Sequence, residues 1–364
     1  MGLGEKKKII ARYVSQGLNS RRAIEIMGIT RHQYYYKPKP GKQGCKPSSK
    51  TPKVTNGTTE LVSNQDVLDE VSKLKEDPDL NSGYHSATYF LKSKGYIIND
   101  KKTYRLMKEA DLIGEKTKSV NKTYAKYRKV LPKNPLEVLE MDIKMAWIER
   151  ERRHAFILNV IDTFSRKWLH QSTGFSITKD HVKAVWEQII YNYLQPSDSL
   201  KKGIHIEIRN DNDPLFSANI IQEFFKENKL NQVFTHPYTP QENAHVESFH
   251  NTLAKHLNLQ CFWTINQLDQ NLILFMEKYN NIRQHTKIAY LAPNDFESLW
   301  SQNLIHAQFD QNKKTTKFQL KIPRYEVKQY TGNDEPEGSP LSRFEPLNGA
   351  INRTDKEMCG ATTS

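Results

Sequence analysis

Apolar side chains recur at helical spacing near the start of the chain. In "EKKKIIARYVSQGLNSRRAIEIMGITRHQYYYK", Ile9, Ile10 and Val14 form a seam with Ile24, Met27 and Ile29. The pattern predicts three short helices. The first spans about 5–16 and ends at Gly17. The second follows Asn19/Ser20 and stops at Gly28, and the third begins after Thr30, a good N-cap. Residues 38–63 hold Pro, Gly, Ser, Thr and Lys with hardly an apolar side chain, which predicts a flexible linker. Helical spacing returns over 64–115 with Val67, Leu68, Val71 and Leu74. "SATYFLKSKGYIINDKKTYRLMKEADLI" then predicts a helix, a turn at Gly95 and another helix after Asn99.

After a basic connector over 116–133, with Tyr124 and Tyr127, the texture changes to strands. "LEVLEMDIKMAWI" and "RHAFILNVIDTFSRKW" are rich in Val, Ile and aromatics and are separated by the charged turn "ERERR". "WLHQSTGFS" reads as a third strand and "TKDHVKAVWEQIIYNYL" as an amphipathic helix. "GIHIEIRND" and "NQVFTHP" are further strands around the helix "SANIIQEFFKENKL". Three more helices follow, at "AHVESFHNTLAKH", near 266–281 and near 293–300. Three strands, then strand–helix alternation, predict an α/β domain over 134–300 with a mixed five-stranded sheet and flanking helices. Residues 301–330 form a C-terminal extension, and the polar stretch 331–364 is expected to be disordered.

Charge sharpens this division. The chain has 54 Lys and Arg against 41 Asp and Glu, a net +13. Residues 1–53 hold 13 basic against 2 acidic side chains, and residues 101–133 hold 11 against 3. Residues 134–300 hold 17 against 20. Two basic N-terminal blocks thus precede a slightly acidic domain, an arrangement suited to a polyanion in front and cations behind. Helix, Gly turn and helix in the first block is the pattern of a helix-turn-helix reader, with Arg31, His32 and Gln33 opening its last helix. Lys101, Lys102 and Arg105 are expected to face outward from the second helical module. Three scattered cysteines, Cys45, Cys261 and Cys359, make neither a zinc pattern nor a disulfide framework. With no signal peptide and no apolar run near 18 residues, the expected setting is cytoplasmic.

Candidate chemistry lies in the acidic domain. Asp142 stands inside a strand between Met141 and Ile143, where a charge is costly without a partner. Asp211 ends the strand "HIEIRN", where ligands gather in open sheets. Glu247 opens the helix after "PYTPQENAHV". If the three converge, each close pair repels by about 4 kcal/mol at an effective dielectric of 20. Divalent cations would relieve that repulsion. Oxygen ligands without thiolates favour Mg²⁺ or Mn²⁺ over zinc. Asn243, Asn251 and Lys255 lie at helical offsets from Glu247 and are candidate DNA contacts beside it, against the plainer reading of surface residues. His245 and His250 are read as surface histidines and Asp162 as a turn residue or partner of Arg166. Arg283 and His285 in "YNNIRQH" either position substrate or cap and pack a helix end.

Asp142, Asp211 and Glu247 resemble the DDE triad of the transposase and retroviral-integrase superfamily, with 35 residues between the last two. "VIDTFSRKW", "PYTPQENAHVES" and "YNNIRQHTKIAYLAPNDF" look like the integrase core of the IS-three family of insertion-sequence transposases. "MGITRHQYYYK" and "INDKKTYRLMKEADLIGEK" resemble the product of that family's larger open reading frame. The resemblance covers about residues 20–300. It implies an RNase H-like core, two Mg²⁺ ions (with Mn²⁺ as substitute) on the triad, and strand cleavage and transfer at terminal inverted repeats into target DNA. It further implies at least a homodimer on paired ends, a smaller helix-turn-helix partner from the same element, and association with the nucleoid. One departure stands out: "RNDNDPLF" carries Asp213 where the family usually has Gly, which leaves Asp213 as a rival to Asp211. Two other readings compete. One is a DNA-binding regulator whose RNase H-like domain only dimerises, and the other is a simple nuclease.

Overall fold

The computed structural model describes residues 1–37, 47–80, 83–114, 130–236 and 240–332, in two compact units divided at Ser49/Lys50. In the first unit, α1 (Leu3–Ser15), α2 (Ser20–Ile26) and α3 (Arg31–Tyr35) enclose Ile10, Ala23 and Ile24. Asn19 caps α2. Thr30 caps α3 by accepting from Gln33 N, and Gln33 Oε1 accepts from Thr30 N in return.

The second unit begins inside the expected linker. Residues 50–63 form a hairpin of β1 (Lys50–Thr55) and β2 (Thr58–Ser63), which corrects the flexible reading for that stretch. Asn56-Gly57, both at positive φ, form the two-residue turn that a right-twisted hairpin favours. β1 also hydrogen-bonds to the Gly95 turn, through Val54 N to Gly95 O and Ile97 N to Pro52 O. A Cβ on Gly95 would stand 2.3 Å from Val54 O, so only glycine fits there. The hairpin completes the second module with α4 (Asn64–Glu76), α5 (Tyr84–Ser93) and α6 (Asp100–Glu109), around Val67, Val71, Leu91 and Leu106. Residues 38–46, 115–129 and 333–364, which hold most of the remaining linker, the basic connector and the tail, lie outside the described residues.

The central sheet has the order β5-β4-β3-β6-β7. Its strands are β3 (Val138–Ile148), β4 (Arg153–Asp162), β5 (Trp168–Gly174), β6 (Ile206–Asn210) and β7 (Leu230–Phe234). The first three are antiparallel, while β6 and β7 run parallel to β3. That mixed topology, with helices on both faces, is an RNase H-like fold. Leu139 and Met141 of β3 pack with α7 (Lys179–Ile189) and α8 (Asn219–Glu227) through Val185, Trp186 and Phe225. Ala146 and Ile148 lie under α9 (Ala244–Leu257) and α10 (Ile265–Asn281), among Val246, Phe249, Leu253 and Phe275. Alternation along β3 therefore turns Glu140 and Asp142 toward the α9 side.

Past α10, α11 (Pro293–Ser301), the hairpin β8 (Ile305–Asp310) and β9 (Thr315–Leu320), and α12 (Val327–Thr331) pack around Phe164, Phe296 and Leu299. The second module docks on this body. Asp79 meets His256 Nδ1 at 2.9 Å and Lys278 Nζ at 3.0 Å, and its backbone carbonyl accepts from Arg283. Tyr89 stacks on Tyr290 at 3.8 Å beneath Arg324. No helix among the described residues is long and apolar enough to cross a membrane.

Candidate active site

Strand register brings the two aspartates to the same end of the β3–β6 ladder. Glu140 of β3 pairs with Arg209 of β6 in parallel register, the last pair of that ladder. Asp142 stands two residues further along β3, and Asp211 follows directly on Asn210, the last residue of β6. Glu247 is in the first turn of α9, which crosses the same side of the sheet. Asp142 is half-buried, while Asp211 and Glu247 are exposed, so the group has one embedded member and two facing solvent.

The electrostatics follow that geometry. Asp142 is pushed up to about 6, mainly by burial and further by the charges of Asp211 and Glu247, against the hydrogen bond from Ile143 N. Partial burial raises Asp211, against the hydrogen bond from Asp213 N and with the Asp213 charge as a smaller upward contribution. Glu247 is raised by burial and then by Glu140. A cation would relieve this mutual repulsion, and three carboxylates are hard oxygen donors of the kind Mg²⁺ and Mn²⁺ take. Among the described residues, however, no three His, Cys, Asp or Glu side chains stand close enough together to hold one ion. Asp211 and Glu247 are each within electrostatic reach of Asp142, but the three are not drawn into a closed cage. Asp213 is an exposed turn residue: its Oδ1 accepts from Leu215 N and its carbonyl from Phe216 N and Ser217 N.

Two histidines expected at the surface belong to this assembly instead. His250 is only 8% exposed because α9 lays that face on β3 and β4. Its Nδ1 lies 3.4 Å from Asp142 Oδ2, and its Nε2 lies 3.2 Å from Asn159 Nδ2. Burial, and then Lys144, lowers His250 to about 4, so the ring is neutral near pH 7. An amide N–H donating to Nε2 leaves the proton on Nδ1, facing the Asp142 carboxylate. His245 Nδ1 lies 2.7 Å from Glu140 Oε1, and Glu140 Oε2 accepts from Val246 N at 2.7 Å. Glu140 is fully buried. Burial pushes it up to about 7, against the Val246 hydrogen bond and the charges of Arg166 and Arg209. Its signal in the sequence was a second carboxylate two residues before Asp142 in an apolar strand, and so on the same face.

Several candidate DNA contacts are placed differently from the expectation. Asn243 is the N-cap residue of α9, outside the helix proper and 6% exposed, with its Oδ1 buried and without a hydrogen-bond partner. Arg283 donates to the Asp79 carbonyl beside Tyr279, which ties it to the second module. His285 packs edge-on against Tyr279 and its Nε2 is buried, so packing prevails there. Asn251 and Lys255 are exposed on α9, as are Arg31, His32 and Gln33 on α3 and Lys101 on α6. Lys102 is half-buried, and its Nζ donates to Lys50 O at 2.6 Å. Arg105 pairs with Glu109 at 3.8 Å. Asp162 is a buried turn residue that accepts from Leu136 N, Phe164 N and Ser165.

Comparison with known proteins finds matches over the domain that carries the central sheet. An integrase core domain matches residues 132–240, and a second integrase core match covers 228–293. A 39.2 kDa uncharacterised protein of insertion element IS476 from Xanthomonas euvesicatoria is 23% identical over 281 residues, 77% of this chain and 72% of the relative. A 31.7 kDa uncharacterised protein of insertion element IS407 from Burkholderia multivorans is 22% identical over 281 residues, 77% of this chain and 90% of the relative. The catalytic core domain of BIV integrase aligns at 21% identity with a TM-score of 0.34, over 46% of this chain and 97% of that one. At that score the superposition adds nothing to what the topology already defines. Residues 132–293 thus carry the integrase core match, and over 77% of its length the chain is similar to proteins of two bacterial insertion elements.

Proposed function

We propose that the chain is a DNA transposase that binds the ends of an insertion sequence and catalyses strand cleavage and strand transfer with Asp142, Asp211 and Glu247. The observation that carries this reading is the half-buried Asp142 on the central strand, repelled by both Asp211 and Glu247. The three carboxylates would hold two Mg²⁺ ions (Mn²⁺ as substitute), which activate water or a 3′-hydroxyl and stabilise the leaving oxygen. Asp142 keeps its orientation through Ile143 N and His250. No side chain of the protein acts as nucleophile, so no covalent protein–DNA intermediate forms. Arg31, His32 and Gln33 of the first unit, Lys101 of the second module, and Asn251 and Lys255 beside Glu247 supply exposed polar or basic contacts to DNA. Terminal inverted repeats and target DNA are the substrates. Pairing two ends requires at least a homodimer, with a smaller helix-turn-helix protein of the same element as a possible partner and the nucleoid as the site of action.

One rival reading is a DNA-binding regulator whose RNase H-like domain is not catalytic. Titrating Mg²⁺ into the full chain with an end-derived duplex and a target duplex separates the readings. Cleavage followed by joining supports the transposase. Binding without reaction supports the regulator, and cutting without joining supports a nuclease.

A further inference from the structure

We infer that Glu140 is a positioning residue that sets Glu247 against Asp142 by holding the first turn of α9 to β3. The inference rests on the proposed metal-binding role of Glu247. Glu140 and Asp142 are two residues apart on one face of β3, so the strand fixes their separation. Glu140 reaches the first turn of α9 with both oxygens: Oε2 takes the Val246 N–H at 2.7 Å and Oε1 meets His245 Nδ1 at 2.7 Å. Val246 is the residue immediately before Glu247. One strand residue, the Glu140 side chain and one hydrogen bond thus tie Asp142 to the backbone next to Glu247, while His250 meets Asp142 one turn further along α9.

The site of this tie is where a carboxylate acts most effectively. The first turn of a helix has N–H groups without intrahelical partners and carries partial positive charge. Asn243, the N-cap residue, makes no side-chain hydrogen bond to them, so Glu140 supplies from the sheet an acceptor that the cap does not. A second tie leads to the segment before the helix, where Arg209 Nη1 donates to Glu242 O at 3.2 Å. Arg209 is paired with Glu140 across the β3–β6 register, so the strand pair and the start of α9 are held at one level.

The test is Mn²⁺ binding to the full chain, read as loss of the free-ion signal in electron paramagnetic resonance. Thermal melts without metal report folding. Glu140→Ala removes both acceptors and is expected to weaken Mn²⁺ binding about 10–100-fold, the usual effect of losing a group that orients a metal ligand. Glu140→Gln can accept from Val246 N and donate to His245, and is expected to bind within about 3-fold of wild type. Should Glu140→Ala fail to fold, Glu140→Asp keeps the charge but is one methylene short of Val246, and the same loss is expected. In a Glu247→Gln background, Glu140→Ala should weaken binding no further. Normal binding by a folded Glu140→Ala (or Glu140→Asp) variant overturns the inference while leaving the triad intact. An equal additional loss in the Glu247→Gln background also overturns it, because the effect would then not pass through Glu247. If wild type and Glu247→Gln bind Mn²⁺ alike, the metal-site reading falls and this inference falls with it.

Discussion

Replacing Asp142 by Asn should abolish strand transfer and yet stabilise the fold. Asp142 is raised from 3.8 to about 6, and its side chain is 28% exposed. About two pH units at 1.36 kcal/mol each set a ceiling of ~3 kcal/mol on what ionising this carboxyl costs the native state. The amide keeps the shape and still accepts from Ile143 N, but it too loses water on burial, so a gain of about 1–3 kcal/mol is expected. The sign depends on pH. The folded protein holds this proton more tightly than the unfolded chain, so wild-type stability falls as pH rises from 3.8 to about 6. At pH 4 the carboxyl is largely protonated when folded and the variant should gain little, whereas above pH 7 the full difference appears. Thermal melts at pH 4 and 7.5 read this directly, at about 2–4 °C per kcal/mol for a domain of 150–250 residues. Mg²⁺ at ten times its dissociation constant should add about 1.4 kcal/mol to wild type at pH 7.5 and much less to the variant. A variant no more stable than wild type at pH 7.5, or equally favoured at pH 4, would refute the reasoning.

Asp79→Ala should destabilise the chain by about 3 kcal/mol in urea melts at pH 7, because it leaves Lys278 and His256 with fewer partners in a buried network. Burial alone would raise Asp79, but His256 and Lys278 outweigh it and hold the carboxyl below its usual range. This part of the stability is present above the unfolded value of 3.8 and is lost as pH falls through the lower folded value, so the variant and wild type should converge in acid. Arg283→Ala should lower the melting temperature while leaving the salt dependence of DNA binding unchanged. Lys101→Ala should weaken binding to all sequences alike and reduce the slope of log K against log salt by about 0.9.

Much of the architecture was readable from side-chain periodicity. The five strands, the helices between them and the caps Asn19, Thr30 and Asn99 follow from local pattern, because burial on a sheet enforces it. The apolar content of residues 50–63 does not reveal the hairpin there, although Asn56-Gly57 carries the turn signal. The three acidic residues of the candidate site were legible because a carboxylate at Asp142 is expensive in an apolar strand. Their surroundings were not. His250, Asn243 and Glu140 are buried by the way α9 lies on β3 and β4, and helical spacing alone does not say which face a sheet covers. Arg283 was beyond local reading for another reason: its partner, Asp79, belongs to a different module.

The claim on which the rest depends is that Asp142, Asp211 and Glu247 close around divalent cations when DNA is present. Anomalous diffraction from crystals of the full chain with a cleaved end duplex and Mn²⁺ tests it most directly. Two peaks, with Asp142 between them and Asp211 and Glu247 each on one, are the expected result. Density for the DNA end without manganese among these carboxylates, or with manganese held by other side chains, would contradict it.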